Sequence, residues 1–241
     1  MNIQSQIKEI YIINIMSQYK IIFIVTSCIN VDSSPLSYFH TRSVFSPEER
    51  LQQTIITLQK LREKIPHATL ILANNNYLTD EQKNTLIKYC DSINNIDDDI
   101  VKTHPNKSFS ECVSLLNTCQ YILDSQIEFD YVFKMSGRYY LMDEFDINKW
   151  PFNEQKIVTP RSVDGVVSNV IYSVSKSMIH YYMNRLKHCI NLCYQDIDAS
   201  KGYNVEAYLF DFKNNDVHEF LKMRAYVAGM CAVQPRIHWS C

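Results

Sequence analysis

Short apolar runs alternate with amphipathic segments through the first half of the chain. Three of these runs, residues 20–27 (KIIFIVTS), 68–73 (ATLILA) and 131–135 (YVFKM), are apolar at most positions. Strands that are covered on both faces of a sheet have this pattern, so each run predicts a buried strand. A shorter strand is predicted near residues 92–96.

Helix start signals stand between the predicted strands. In a capping box, an N-cap Ser or Thr is followed three positions later by Glu or Gln. The chain contains three such pairs: Ser46 with Glu49, Thr79 with Gln82, and Ser108 with Glu111. They predict helices that end at Pro66, at about Cys90 and at about Ser125.

The pattern becomes less regular in the second half. Strands are predicted at 156–159 and 169–174 and within 225–233, with a long helix at about 176–194 and a shorter one at about 205–212. The alternation of strand and helix in the first half indicates an α/β fold, with a doubly wound, mostly parallel sheet and helices on both faces. We expect residues 20–241 to form a single domain and residues 1–19 to be an N-terminal extension.

Glycine is scarce. Only 4 of the 241 residues are glycine, whereas about 7% is typical. The chain has no G-x-G-x-x-G, no G-x-x-x-x-G-K-[ST] and no G-x-S-x-G sequence. These absences exclude the glycine-rich dinucleotide loop, the P-loop and the nucleophile elbow.

Charge and cysteine content restrict the partners and the compartment. The formal net charge is −2 and no block of five like charges occurs, which argues against a nucleic-acid partner. The 8 cysteines include no C-x-x-C pair, as expected for reduced thiols in a cytoplasmic protein. Lys8, Glu9 and Lys20 interrupt the apolar N-terminal positions, so we expect neither a signal peptide nor a membrane span.

The carboxyl ends of the predicted strands mark the expected site. Ligands of open α/β sheets bind beyond these ends. Three segments fall there: 26–42, 74–77 and 136–140.

Four stretches together resemble a known family: VTSCIN, RSVFSPEERLQQTIITLQKLREKIPHATLIL, HPNKSFSE and DYVFKMSGRYYL. In order and spacing they are similar to small GT-A-type glycosyltransferases of large DNA viruses and bacterial polysaccharide clusters. The resemblance covers about residues 20–212. It implies a GT-A-like, Rossmann-like domain whose residues 20–140 bind a nucleotide-diphosphate sugar, while residues 141–241 bind a glycan or other hydroxyl acceptor. A viral member would act in the host cytoplasm.

The chain departs from the family where a metal is usually bound. GT-A enzymes carry D-x-D after the central strand, where carboxylates hold Mn²⁺ or Mg²⁺ against the donor diphosphate. Here that position reads Ser136-Gly137-Arg138. We expect Arg138, helped by Lys134 or Lys107, to replace the metal, because a guanidinium can contact phosphate oxygens in a bidentate manner. The alternative is a tight turn with a surface arginine.

A metal-dependent donor site is the main alternative to a site in which Arg138 replaces the metal. Mn²⁺ or Mg²⁺ would then be bound by Asp97 and Asp99, with His238 as a further ligand. In the alternative interpretation these carboxylates form a solvated loop.

The expected donor-binding residues lie in three parts of the chain. They are Thr26, Ser27, Arg42 and Arg50 around the first loop, Lys107 before the third helix, and Ser136, Gly137 and Arg138 after the central strand. For Arg50 the alternative is an exposed side chain that pairs with a nearby glutamate. For Thr26 and Ser27 it is strand-end hydrogen bonding.

Glu206 is the predicted catalytic base, because YNVEAYLFDF resembles the late helix that carries a carboxylate in inverting GT-A enzymes. Such a group must reach the acceptor hydroxyl. Alternatively, Glu206 only stabilises the first helical turn behind Asn204. Asp164, beside Gly165, is the second candidate. A nucleotidyltransferase and a non-catalytic nucleotide-sugar-binding domain remain open as alternative functions.

Overall fold

The computed structural model describes residues 19–37, 39–160, 169–195, 217–221, 225–230 and 237–240. The strands of this part of the chain are β1 (Ile21–Ser27), β2 (Thr69–Asn75), β3 (Ser92–Ile96), β4 (Tyr131–Ser136), β5 (Tyr139–Leu141), β6 (Ile157–Thr159), β7 (Ile171–Ser175), β8 (His218–Phe220), β9 (Val227–Met230) and β10 (Ile237–Ser240). Its α-helices are α1 (Pro47–Lys64), α2 (Asp80–Leu86), α3 (Asp99–Thr103), α4 (Lys107–Asp124) and α5 (Ile179–Gln195).

Seven strands form one sheet in the order β3-β2-β1-β4-β7-β6-β8. Strands β3, β2, β1 and β4 are parallel, and β6 is parallel to β8. Strand β7 runs antiparallel to both of its neighbours. The predicted α/β class and mostly parallel sheet are therefore confirmed. A second sheet, in the order β10-β9-β5, is antiparallel.

Strand β1 is buried on both faces, which explains its continuous apolar sequence. Phe23 and Val25 pack in one core with Leu58 of α1. Ile22 and Ile24 point the other way, into a second core that includes residues of α4 and α5. Because successive strand side chains alternate between faces, a strand between two helical layers needs apolar residues at every position.

Two of the predicted capping boxes are present. The Ser46 hydroxyl accepts a hydrogen bond from the Glu49 N–H, and the Glu49 carboxylate accepts one from the Ser46 N–H. Thr79 and Gln82 form the same reciprocal pair at the start of α2. These short-range signals correctly predicted where both helices begin.

The third capping box was wrong. Asn106 is the N-cap of α4, and its Oδ1 accepts from the Ser108 N–H at 2.9 Å. Glu111 turns instead towards Lys134, whose Nζ lies 2.5 Å from Glu111 Oε1. A buried ammonium competes for the carboxylate more strongly than a backbone N–H does.

The remaining boundaries differ modestly from prediction. Helix α2 ends at Leu86 rather than near Cys90. A turn of 3₁₀-helix, Lys176–Met178, precedes α5, and in the described part of the predicted closing segment Val227–Met230 forms β9. The predicted helix at 205–212 lies outside the described residues. No helix in the described part of the chain is long and apolar enough to cross a membrane.

Candidate functional site

A cleft opens at the carboxyl ends of β1, β2 and β4. Thr26 and Ser27 at the end of β1, Asn75 at the end of β2 and Ser136 at the end of β4 line it. From β1 the chain crosses through α1 to β2 on one side, whereas β4 lies on the other side. The cleft is therefore at a topological switch point, where open α/β sheets bind ligands.

The cleft is open and strongly cationic. Its volume is about 740 Å³, including the part that is open to solvent. Two carboxylates, Asp32 and Glu111, line it. Five cationic side chains also line it: Arg42, Arg50, Lys102, Lys107 and Arg138. This excess of positive charge favours an anionic ligand.

Arg50 is buried in the cleft wall, although it lies in the first turns of α1. Its side chain is 4% exposed, and the guanidinium donates to the Cys28 carbonyl and to Ser43 Oγ. Burial, together with the nearby Arg138 cation, lowers the pKa of Arg50 to about 10. The residue stays charged at neutral pH, and the alternative interpretation, an exposed arginine paired with a glutamate, is wrong.

Arg42 connects two loops at the rim. Its Nε donates to the Ser34 carbonyl at 2.7 Å, and its Nη2 donates to the Thr103 and His104 carbonyls at 2.5 and 2.6 Å. Lys107 Nζ in turn donates to the Arg42 carbonyl. These contacts hold two of the predicted donor-binding cations beside the cleft.

Gly137 allows the turn after β4 to lie against β1. Its N–H donates to the Thr26 carbonyl at 2.8 Å. A Cβ at this position would stand 3.0 Å from that oxygen and 3.3 Å from Thr54 Oγ1. The glycine therefore serves a close approach of two backbones, and it brings the next residue, Arg138, to the cleft.

The loop after β1 is held by the end of β2. Asn74 Oδ1 accepts from the Ile29 N–H at 3.2 Å, and Asn30 Nδ2 donates to the Tyr77 carbonyl at 2.9 Å. Asn76 has φ of 87°, a left-handed conformation that asparagine tolerates better than most residues. Of the predicted segment 74–77, only Asn75 lines the cleft.

Cys28 places a thiol in the cleft wall. Burial raises its pKa, and the nearby Arg50 and Arg42 cations oppose that effect. The thiol is predominantly protonated at neutral pH, and no sequence motif predicted a role for it.

Lys134 is the most deeply buried cation of the region. The side chain is 1% exposed, in the middle of the sheet. Its Nζ lies 2.5 Å from Glu111 Oε1 and donates to Ser136 Oγ at 2.9 Å and to the Asn169 carbonyl. The ion pair between Glu111 and Lys134 was not predicted from the sequence. The available signal was a lysine within an apolar strand, which requires a buried counter-charge.

The triple aspartate does not form a carboxylate cluster. Asp98 is the N-cap of α3, and its Oδ1 accepts from the Val101 N–H at 3.0 Å. Lys102 Nζ lies 3.5 Å from Asp97 and 2.5 Å from Asp99. Within the described residues, no group of three or more His, Cys, Asp or Glu side chains could hold a metal ion.

The resemblance implies a metal, but the donor set after β4 does not suit one. Ser136-Gly137-Arg138 offers one hydroxyl and one cation, whereas Mn²⁺ and Mg²⁺ prefer carboxylate oxygens. The predicted bases Glu206 and Asp164 lie outside the described residues, and the side chain of His238 is not described.

The sequence matches no protein-family model and no curated protein.

Proposed function

We propose that the chain is a GT-A-like glycosyltransferase that binds a nucleotide-diphosphate sugar in this cleft and transfers the sugar to a hydroxyl acceptor. The observation that carries the proposal is the group of cations at the switch point of the sheet, where the Arg138 cation is close enough to lower the pKa of Arg50. A dianionic group is the ligand that such an arrangement would stabilise.

The main chemical requirement of the reaction is to stabilise the negative charge that develops on the leaving diphosphate. As the bond from the sugar to the diphosphate breaks, negative charge builds up on the leaving oxygen. Fixed cations lower the barrier because they need not reorganise as this charge develops. In our proposal Arg138 and Arg50 supply this stabilisation, and Lys107 adds a further positive charge.

A base must also remove the proton of the acceptor hydroxyl. In the proposed mechanism Glu206 takes this role, with Asp164 as the second candidate. Attack from the face opposite the leaving diphosphate inverts the configuration at the sugar carbon.

The deciding experiment is donor turnover. The protein is incubated with UDP-, GDP- and dTDP-sugars, with and without EDTA, and the release of nucleoside diphosphate is followed. We expect turnover that persists in EDTA and is lost in Arg138→Ala. Arg62→Ala is the matched control, since Arg62 is a half-exposed arginine that pairs with Asp91 at 2.8 Å, away from the cleft.

Two results would change the proposal. Turnover that EDTA abolishes and Mn²⁺ restores would show that the metal-free assignment is wrong. Thermal stabilisation by a nucleoside diphosphate without turnover of any donor or transfer to any acceptor would indicate a binding domain instead of an enzyme.

A further inference from the structure

The three hydrogens of the Lys134 ammonium have three acceptors. They are Glu111 Oε1, Ser136 Oγ and the Asn169 carbonyl. An ammonium has three donors and no acceptor. Lys134 is thus fully used within the protein, and its positive charge is balanced by Glu111. Its effect on a ligand must pass through the two side chains that it holds.

Ser136 is left with one hydrogen to donate. Its Oγ accepts from Lys134 Nζ, so the hydroxyl hydrogen must point elsewhere. Among the described residues that hydrogen has no acceptor, and Ser136 lines the cleft. The hydroxyl is therefore set to donate to a ligand atom.

Glu111 can accept a hydrogen bond from a ligand, whereas Ser136 can donate one. One carboxylate oxygen lies against Lys134, and the side chain is 23% exposed where it lines the cleft. The Lys134 ion pair accounts for one carboxylate oxygen of Glu111, and because a carboxylate repels a phosphate group, a diphosphate does not suit the other. That oxygen accepts strongly from a neutral hydroxyl.

A ligand hydroxyl satisfies both groups, because it donates one hydrogen bond and accepts others. Ser136 Oγ and Glu111 Oε1 both contact the same Nζ, so the two side chains are close together. We propose that Glu111 and Ser136, both held by Lys134, form a hydroxyl-binding subsite beside the cationic part of the cleft. This inference rests on the proposed function, and it specifies that the anionic ligand carries hydroxyl groups near its charge.

Sugar hydroxyls reach such a subsite from two sources, the ribose of the nucleotide or the transferred sugar. Binding is therefore measured by calorimetry with four ligands: inorganic pyrophosphate, UDP, 2′,3′-dideoxy-UDP and UDP-glucose. The variants are Glu111→Gln and Ser136→Ala. Asp124→Asn, at the other end of α4, is the matched control. Circular dichroism at the working temperature verifies that each variant is folded.

We expect Glu111→Gln to lose about tenfold in affinity for the hydroxylated ligand relative to pyrophosphate, the lower end of the range for a hydrogen bond to a charged group. Ser136→Ala should lose about three- to tenfold, the range for a neutral hydrogen bond. For Glu111→Gln, pyrophosphate affinity should stay level or increase, because a negative charge is removed. A loss that appears with UDP but not with dideoxy-UDP identifies the ribose. A loss that appears only with UDP-glucose identifies the transferred sugar.

Two other results would contradict the inference, and they can be told apart. If the wild-type protein binds these ligands and neither variant changes the ratio of affinities, the subsite does not exist. If the wild-type protein binds none of the four and neither GDP nor dTDP, the proposed function fails, and this inference fails with it.

Discussion

Gly137 donates its backbone N–H to the Thr26 carbonyl at 2.8 Å, so the turn between β4 and β5 rests directly on β1. The contact joins the two strands that border the switch point and fixes the start of the segment that carries Arg138. A side chain at Gly137 would disturb both the packing and the cleft.

Gly137→Ala should destabilise the protein by about 1–3 kcal/mol, the usual range for overpacking, because the new Cβ would stand 3.0 Å from a backbone oxygen. Urea unfolding followed by the fluorescence of the buried Trp150 measures this loss. Pyrophosphate affinity should fall as well, since the turn must move. A variant of wild-type stability and affinity would contradict the argument.

Gly229→Ala tests the same effect at a more crowded position. A Cβ at Gly229 would lie 2.4 Å from the Arg138 carbonyl and 2.5 Å from the Tyr139 ring, closer than any contact at Gly137. We expect a larger loss of unfolding free energy than in Gly137→Ala, measured by the same urea unfolding. The reverse order would show that β9 adjusts more readily than the turn after β4.

The arginine in the cleft wall leads to a prediction about ligand affinity. Arg50→Met should weaken binding of UDP and of pyrophosphate by about 10- to 100-fold, the range for losing a charged hydrogen bond. Binding to the wild-type protein should also weaken as salt is added, because the ions screen the cleft cations. Calorimetry at two ionic strengths measures both effects. Arg62→Met, which removes a half-exposed arginine, should bind as the wild type does.

Local sequence patterns predicted the strands of the sheet because burial on both faces restricts the residues of each strand itself. A strand that is buried between two layers needs apolar residues on both faces, and residues 21–25 have them. The capping boxes at Ser46 and Thr79 involve residues only three positions apart, so their spacing was sufficient.

The parts that the sequence did not predict depend on distant residues. Glu111 satisfied the spacing of a capping box, but a lysine 23 positions further along the chain takes its carboxylate. Arg50 was predicted to bind the donor, but the contacts that hold it in the cleft wall, with the Cys28 carbonyl and the Ser43 hydroxyl, were not predicted. No local pattern encodes these contacts, because the fold of the sheet creates them.

Buried thiols predict a loss of stability at alkaline pH. Burial raises the pKa of Cys119 to about 12, well above the usual value for a thiol. Above about pH 9 the unfolded chain loses this proton while the folded protein keeps it, so the folded state binds more protons and its stability falls as the pH rises. The contribution is complete below pH 9 and is lost by about pH 12.

Cys119→Ala separates this effect from other titrations. The variant should be less stable than the wild type at pH 8, because it leaves a small cavity in the core. The difference should then shrink between pH 9 and 10.5, by up to about 1.4 kcal/mol per pH unit. Urea unfolding at four pH values measures it. A constant difference would mean that the thiol ionises equally in both states.

Removing Glu111 and removing Lys134, the two partners of the buried ion pair, should destabilise the protein by different amounts. Lys134 is 1% exposed and Glu111 is 23% exposed, so only the carboxylate has access to water. Glu111→Gln leaves a buried ammonium without a counter-charge and should cost about 3 kcal/mol. Lys134→Met leaves a carboxylate that water can reach in part, and it should cost less.

The double variant completes the cycle. With both charges removed, neither desolvation penalty remains, so we expect the double variant to be more stable than the sum of the two single losses predicts, by about 1–3 kcal/mol. Asp124→Asn, at the far end of α4, should show no such coupling with Lys134→Met. Additive losses at Glu111 and Lys134 would mean that the two charges do not stabilise each other. Equal losses in the two single variants would mean that water reaches both groups equally. The predicted asymmetry follows only if Lys134 depends on Glu111 for its charge balance.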